Sequence, residues 1–385
     1  MQDLLQLDTL LTDEAQAFKQ SVKQFVDKEI LPIINQAYES ATFPKDLIKK
    51  IADLGLFGIT IPQNYGGLGA TYQEYGVVCQ ELERGDSALR SFISVQSSLG
   101  MYPIYQFGSE TQKQTYLVKM AKGEIISCFG LTEPDSGSDP GSMQTTAKKT
   151  EGGWILNGSK MWITNAPIAD IAIVWAKTDG GVRGFIVEKN TKGFSATTIH
   201  NKMSLRASIT GELHFQDCFI ADEQLLPGST KGLAAALSCL TQARFGIAWG
   251  AIGAAIACYD IALDYTQTRK QFEKPLASFQ LIQKDLVEMY SEICKAQLLN
   301  LRVADLMDQG KADYAMVSLA KMNSAKQALI IARMARNLLG GNGITLDYHV
   351  IRHMMNLETV FTYEGTDNIH HLILGRYLTG ENAFV

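Results

Sequence analysis

Apolar residues recur three and four positions apart through residues 12–123, beginning with Phe18, Val22, Phe25 and Val26, and that spacing predicts helices. Thr12 and Asp13 offer capping chemistry ahead of the first helix, and Pro32 and Pro44 punctuate the stretch after it. Further helices are expected over 46–56, ended by Gly55 and Gly58, and over 73–84, 91–99 and 111–122. The Gly66-Gly67-Leu68-Gly69 cluster reads as a loop. It lacks the third glycine and the feeding strand of a dinucleotide fingerprint, which excludes a Rossmann reading and a nicotinamide cofactor with it.

The period shortens near Glu124. Trp154-Ile155-Leu156, then Asn157-Gly158, then 160–164 read as a hairpin with an Asn-Gly turn. Strands are expected over 171–176 and 184–188, joined by Asp179-Gly180-Gly181, and over 212–219. Beyond Gly232 the helical period returns over 233–269, 278–307 and 312–339, and Gly340-Gly341 stops the third where glycine serves as a C-terminal cap. A last helix-like stretch covers 349–360. Three long helices predict an antiparallel bundle. The fold class expected is α+β, with an N-terminal α-helical domain (1–123), a middle β domain of short strands (124–232) and a C-terminal α-helical bundle (233–385).

A chain of 385 residues exceeds the usual size of one core, in keeping with several domains. Hydrophobic residues at 46% and charged residues at 19% describe a soluble globular protein. A net charge of −5 with no cluster of lysines and arginines argues against a nucleic-acid partner. The six cysteines (Cys79, Cys128, Cys218, Cys239, Cys258, Cys294) form no CxxC pair, which fits reduced thiols and neither a disulfide framework nor a zinc site. The longest apolar run, 247–258, is shorter than a membrane span. Residues 1–11, with Asp3 and Asp8, lack the basic and apolar regions of a signal peptide, so an intracellular protein is expected.

Candidate chemistry falls in a few stretches. In Thr362-Tyr363-Glu364-Gly365-Thr366 a carboxylate stands between an aromatic residue and a glycine. Glycine lets a ligand approach the backbone, and apolar cover would raise the Glu364 pKa as a general base requires. Alone, the pentapeptide favours the reading of an ordinary helix-terminal cap. The loop Phe129-Gly130-Leu131-Thr132-Glu133-Pro134-Asp135-Ser136-Gly137-Ser138-Asp139 can present amides and hydroxyls to a pyrophosphate, or be a plain capped turn. In Trp162-Ile163-Thr164 the indole can cover a planar ring, though a lone Trp is more often core. Arg269, with Gln271 and Phe272 and ahead of Gln280, is a phosphate ligand or a solvated helix end. Arg90 and Ser94 share a helical face and can hold a carboxylate; the plainer alternative is a surface ion pair of Arg90 with Glu83 or Asp86, worth about 0–1 kcal/mol. His349 and His353 have zinc-like spacing without an acidic or thiolate ligand to complete it, and no metal is expected.

Taken in order, the helical first domain, Phe129-Gly130-Leu131-Thr132-Glu133-Pro134, Trp162-Ile163-Thr164, Arg269-Lys270-Gln271-Phe272, Leu339-Gly340-Gly341-Asn342-Gly343 and Tyr363-Glu364-Gly365-Thr366 resemble the acyl-CoA dehydrogenase family across essentially the whole chain. Three segments resemble its glutaryl-CoA branch: Leu89-Arg90-Ser91 with Ser94-Val95-Gln96-Ser97-Ser98, then Arg244-Phe245-Gly246-Ile247-Ala248-Trp249-Gly250, then Tyr348-His349-Val350-Ile351-Arg352-His353.

The resemblance implies FAD, held without a Rossmann fold between the β domain and the C-terminal bundle of a homotetramer. Phe129, Leu131, Thr132, Gly137, Ser138, Trp162, Ile163 and Thr164 would surround the flavin and its phosphates. Arg269, Phe272, Gln280, Asn337, Gly340 and Gly341 would reach the FAD of a neighbouring subunit. Glu364 would be the base, flanked by Tyr363, with Gly365 beside the thioester and Thr366 near the cofactor. Ser138, Arg244 and Phe384 would line the acyl-CoA site, while Arg90, Ser94 and Ser91 would hold the distal carboxylate of glutaryl-CoA, with Glu83 positioning the arginine. Asp367-Asn368 departs from the order His-Asp of that branch and puts the contact of Asn368 with FAD in question. The activity implied is oxidative decarboxylation of glutaryl-CoA to crotonyl-CoA, as in lysine and tryptophan breakdown, with electrons passed to an electron-transfer flavoprotein. Bacterial cytoplasm, or a mitochondrial matrix for a mature form, is the location expected. Competing readings are a short- or branched-chain acyl-CoA dehydrogenase, an oxidase, and an inactive helical binding module.

Overall fold

A computed structural model describes residues 1–384 of the chain. Helix α1 (Asp13–Phe25) starts where the Thr12 side chain accepts from the Ala15 amide, satisfying one of the orphan donors of a helix N-terminus. It is followed by α2 (Leu31–Glu39) and α3 (Leu47–Asp53). Helix α4 (Tyr72–Gly85) opens on a reciprocal capping box between Thr71 and Glu74. Asp86 then caps α5 (Ser87–Ser94) through the Ala88 amide, and the helix widens into a π-helical turn at Val95–Met101. All eight residues of α5 are buried, so its serines and Arg90 need partners inside the protein. Helices α6 (Tyr102–Phe107) and α7 (Glu110–Ala121) complete the N-terminal region.

The middle region is a seven-stranded sheet of β1 (Ser127–Gly130), β2 (Thr146–Thr150), β3 (Gly153–Thr164), β4 (Ile171–Thr178), β5 (Gly181–Glu188), β6 (Phe194–Thr198) and β7 (Thr210–Ala221). Strand order is β1-β4-β2-β3-β7-β6, with β5 also paired to β4. The hairpin expected at Asn157-Gly158 is absent: β3 runs straight through as one strand, with a bulge there in its pairing to β7. Two interactions override the local turn signal. The Asn157 amide group donates to Asp217 at 3.0 Å while its carbonyl accepts from the Asp217 backbone at 2.8 Å. Gly158 packs so tightly on Thr145 that a Cβ would lie 2.4 Å from its hydroxyl.

The C-terminal region is built on α8 (Leu233–Thr268), whose length and apolar composition would suffice to cross a membrane but which is mostly buried in the protein. A two-stranded ribbon, β8 (Lys270–Gln271) and β9 (Lys274–Pro275), leads to α9 (Gln280–Asp308) and α10 (Tyr314–Leu338). Helices α11 (Val350–Thr362) and α12 (Asp367–Thr379) close the chain. Helix α8 packs on α10 to one side and α4 to another, and glycines make the second contact possible. A Cβ on Gly253 would sit 1.8 Å from the Gln80 carbonyl. All six cysteines are buried and free.

Candidate active site

Helix α11 ends when the Tyr363 amide bonds the Thr359 carbonyl at 2.8 Å. The next two residues are left-handed, Glu364 at φ 55° and Gly365 at φ 95°, before Thr366 caps α12 by accepting from the Ile369 amide. A glutamate in that conformation carries roughly 1–2 kcal/mol of backbone strain, so surrounding contacts must hold it. Arg244 on α8 donates Nε to the Glu364 carbonyl at 2.7 Å. Lys321 on α10 donates Nζ to the Gly365 carbonyl at 2.9 Å and to the Phe361 carbonyl at 3.4 Å. Of the carboxylate, Oε2 is sealed from solvent and has no hydrogen-bond partner among the described residues. Burial raises the Glu364 pKa, and the charges of Arg244, Lys321 and Arg90 oppose that rise. The result is a carboxylate with one shielded, unpaired oxygen and a raised pKa, as a general base needs.

Arg90 reaches the same place from α5. Its side chain is 2% exposed and that of Glu83 is 0% exposed, which rules out the surface ion pair. Nε donates to Glu83 Oε2 at 2.6 Å, while the Ser87 hydroxyl donates to Glu83 Oε1 at 2.8 Å. Nη2 donates to the hydroxyl of Tyr363, the residue preceding Glu364. Burial would lower the Arg90 pKa, but Glu83 and Tyr363 more than offset this, so the guanidinium stays charged. The Tyr75 hydroxyl lies 3.3 Å from Ser94 Oγ and 3.2 Å from Ser98 Oγ beneath this group. Space for the ion pair comes from α8, where a Cβ on Gly250 would stand 2.1 Å from Glu83 Oε2.

On the sheet, β3 shifts register again between Lys160 and Ile163, and Trp162 is thrown outward with φ 62° and 55% of its surface exposed. The nearby loop after β1 is fixed from below. Buried Lys160 donates to Glu133 at 2.8 Å and to the Leu131 carbonyl at 3.1 Å, and Glu133 also accepts from the Thr145 amide at 3.0 Å. A large exposed indole beside a rigid loop with open backbone and hydroxyl groups suits a planar heterocycle carrying phosphates. The residues present therefore fit FAD.

Models of the acyl-CoA dehydrogenase N-terminal, middle and C-terminal domains match residues 12–124, 128–218 and 230–379 in turn. The chain belongs to the acyl-CoA dehydrogenase family. A solved glutaryl-CoA dehydrogenase from Mycobacterium smegmatis is 47% identical with a TM-score of 0.98, over 100% of this chain and 99% of that one; one structure of such an enzyme from this organism, with the same values, is in complex with FADH2. An acyl-CoA dehydrogenase of Bacillus subtilis (strain 168) is 38% identical over 96% of this chain and 99% of its own length. The mitochondrial short-chain specific acyl-CoA dehydrogenase of Homo sapiens is 35% identical over 96% and 90%.

Within this dehydrogenase the expected residues separate into groups. Glu364, Tyr363, Gly365, Arg244, Arg90 and Glu83 converge through the contacts above, with Ser94 packed against them through Tyr75. No hydrogen bond joins Ser91 to the cluster, although it is buried. Phe129 and Leu131 are buried in one core cluster and Ile163 in the core of the sheet. Thr132 and Thr164 are half-buried, and Gly137 and Ser138 are exposed. Arg269, Phe272, Gln280, Asn337, Gly340, Gly341 and Asn368 are all exposed, Phe272 at 88%. An open groove of about 750 Å³ is lined by Asp264, Tyr265, Arg269, Asn342, Tyr348 and His349, among others. Phe384 lies on an exposed tail, where among the described residues its hydrogen bonds are to Asn382 only.

Sequence reasoning passed over Lys321, Tyr75, Lys160 and His370. His370 is buried on α12, with Nδ1 2.5 Å from the Ser318 hydroxyl, and burial lowers its pKa to about 2, so it is neutral. Lys321 had one signal: it sits three residues from the buried Ser318 and Ser324, on the inward face of α10. His349 Nδ1 lies 2.9 Å from Asn35 Oδ1, and Arg352 pairs with buried Asp86. His349 and Arg352 thus belong to the junction between α2, α5 and α11, and His353 is buried on α11.

Proposed function

We propose that the chain is an FAD-dependent glutaryl-CoA dehydrogenase that converts glutaryl-CoA to crotonyl-CoA and CO2. The observation that carries this reading is Arg90, a buried charged guanidinium bonded to Glu83 and to the neighbour of the candidate base. Burying an ion pair in an acyl pocket is costly, and a carboxylate at the far end of the substrate gives that cation a purpose.

FAD, when bound, accepts the hydride from the substrate β carbon. Glu364 removes the α proton, because its carboxylate has an oxygen that is unpaired and shielded from water among the described residues. The Glu364 amide has no hydrogen-bond partner among the described residues and is free to donate to the thioester carbonyl as enolate charge builds. Arg90 holds the distal carboxylate in line until it leaves as CO2, its bonding electrons passing into the conjugated thioester. Protonated Glu364 then returns its proton to the γ carbon. Exposed Arg269 and Phe272 support assembly with further copies of the chain, a homotetramer in this reading, and an electron-transfer flavoprotein is the acceptor proposed.

A short-chain acyl-CoA dehydrogenase is the second reading, favoured by the human relative's name. Arg90→Gln separates them. It should lower kcat/KM for glutaryl-CoA at least about 100-fold, the scale of 2–3 kcal/mol for a lost charged hydrogen bond, while leaving butyryl-CoA within a few-fold. Equal losses on both substrates would remove the dicarboxylate assignment.

A further inference from the structure

Lys321 is 1% exposed, yet no carboxylate stands within ion-pair distance of it among the described residues. Its two acceptors are neutral carbonyls, those of Phe361 and Gly365, which bracket Glu364 in the chain. The Phe361 carbonyl lies in the last turn of α11 and would otherwise be an orphan acceptor, while that of Gly365 belongs to the left-handed turn. Arg244 takes the Glu364 carbonyl between them. Two buried cations from two different helices thus hold three carbonyls of one short turn.

An unpaired buried ammonium is a stability cost, so packing alone does not explain it. We propose that Lys321 is a positioning residue for the base: its ammonium clamps the chain on both sides of Glu364 and keeps carboxylate and amide in reactive geometry. This rests on Glu364 being the base. Facing Lys321 are Arg244 from α8, Arg90 from α5, Glu364 itself, and Asp367 and neutral His370 from α12. Burial, with repulsion from Arg244, lowers the Lys321 pKa to about 7, so the ammonium is charged below that pH. There its charge opposes the rise that burial imposes on Glu364. Removing it moves the carboxylate pKa further up.

The test compares Lys321→Met and Lys321→Gln holoenzymes with wild type, per bound flavin, across pH, with Glu364→Gln in parallel. Lys321→Met is expected to lose about 100-fold in kcat, the scale of a catalytic group displaced by 1 Å. The acid limb of its kcat/KM profile should move to higher pH. Lys321→Gln keeps a donor without the charge, so it should recover about tenfold of that kcat while retaining the shifted limb. Wild-type kcat and an unmoved acid limb in both variants, whatever their melting temperatures, would overturn the proposal. Flavin bleaching by substrate in Glu364→Gln would instead overturn the assignment of the base, a separate failure.

Discussion

Arg90 and Tyr363 stand 273 positions apart in the chain, yet the guanidinium donates directly to the phenol. The contact joins the group that would hold a distal carboxylate to the segment that carries the base. Arg90→Gln should therefore act on stability as well as specificity. Leaving buried Glu83 without its partner is expected to cost about 3–5 kcal/mol, and Arg90→Gln with Glu83→Gln together to recover most of it. Denaturant unfolding of the two single variants and the double variant reads the coupling.

Gly250 has no charge and touches no substrate in this account, but it determines whether the ion pair fits. Its missing Cβ would stand 2.1 Å from Glu83 Oε2 and 2.9 Å from Arg90 Nε. Gly250→Ala should displace the pair, with roughly 1–3 kcal/mol of overpacking cost, and depress turnover of glutaryl-CoA more than that of butyryl-CoA. Steady-state kinetics on both thioesters checks this.

Glu364 is expected to destabilise the fold it serves. Burial lifts its pKa, so between the ordinary carboxyl value of 4.5 and the folded value the native state holds more protons than the unfolded chain. Stability then falls as pH rises through that window, and the full cost persists above it. Glu364→Gln should melt higher than wild type at pH 7–8, with the gain vanishing below the ordinary carboxyl range. Melting curves over that range decide it.

Lys160 anchors the loop beside Trp162 through Glu133 and the Leu131 carbonyl. Lys160→Met strands a buried carboxylate and frees the loop. We expect about tenfold weaker FAD retention, the scale of one lost charged hydrogen bond, with little change in kcat for molecules that keep flavin. Flavin titration of the apoprotein measures it.

The sequence reveals what is periodic or local. The helical repeat over 233–269 became α8 almost residue for residue, because length and apolar spacing suffice for a buried helix. Asn157-Gly158 misled because the strand partner, through Asp217, decides between turn and bulge. Whether Arg90 was a surface bridge or a buried pair could not be read locally, since Gly250 on a distant helix makes its space. The left-handed turn at Glu364 depends likewise on Arg244 and Lys321 arriving from α8 and α10. Lys321 has the helical surroundings of any surface lysine except for the face it occupies.

The most direct test is a turnover assay. The purified holoenzyme is given glutaryl-CoA with an artificial electron acceptor, and the thioester products are separated and identified. The account predicts crotonyl-CoA with release of CO2. Absence of product from glutaryl-CoA, alongside rapid oxidation of butyryl-CoA, would contradict it and return the Arg90–Glu83 pair to a purely structural role.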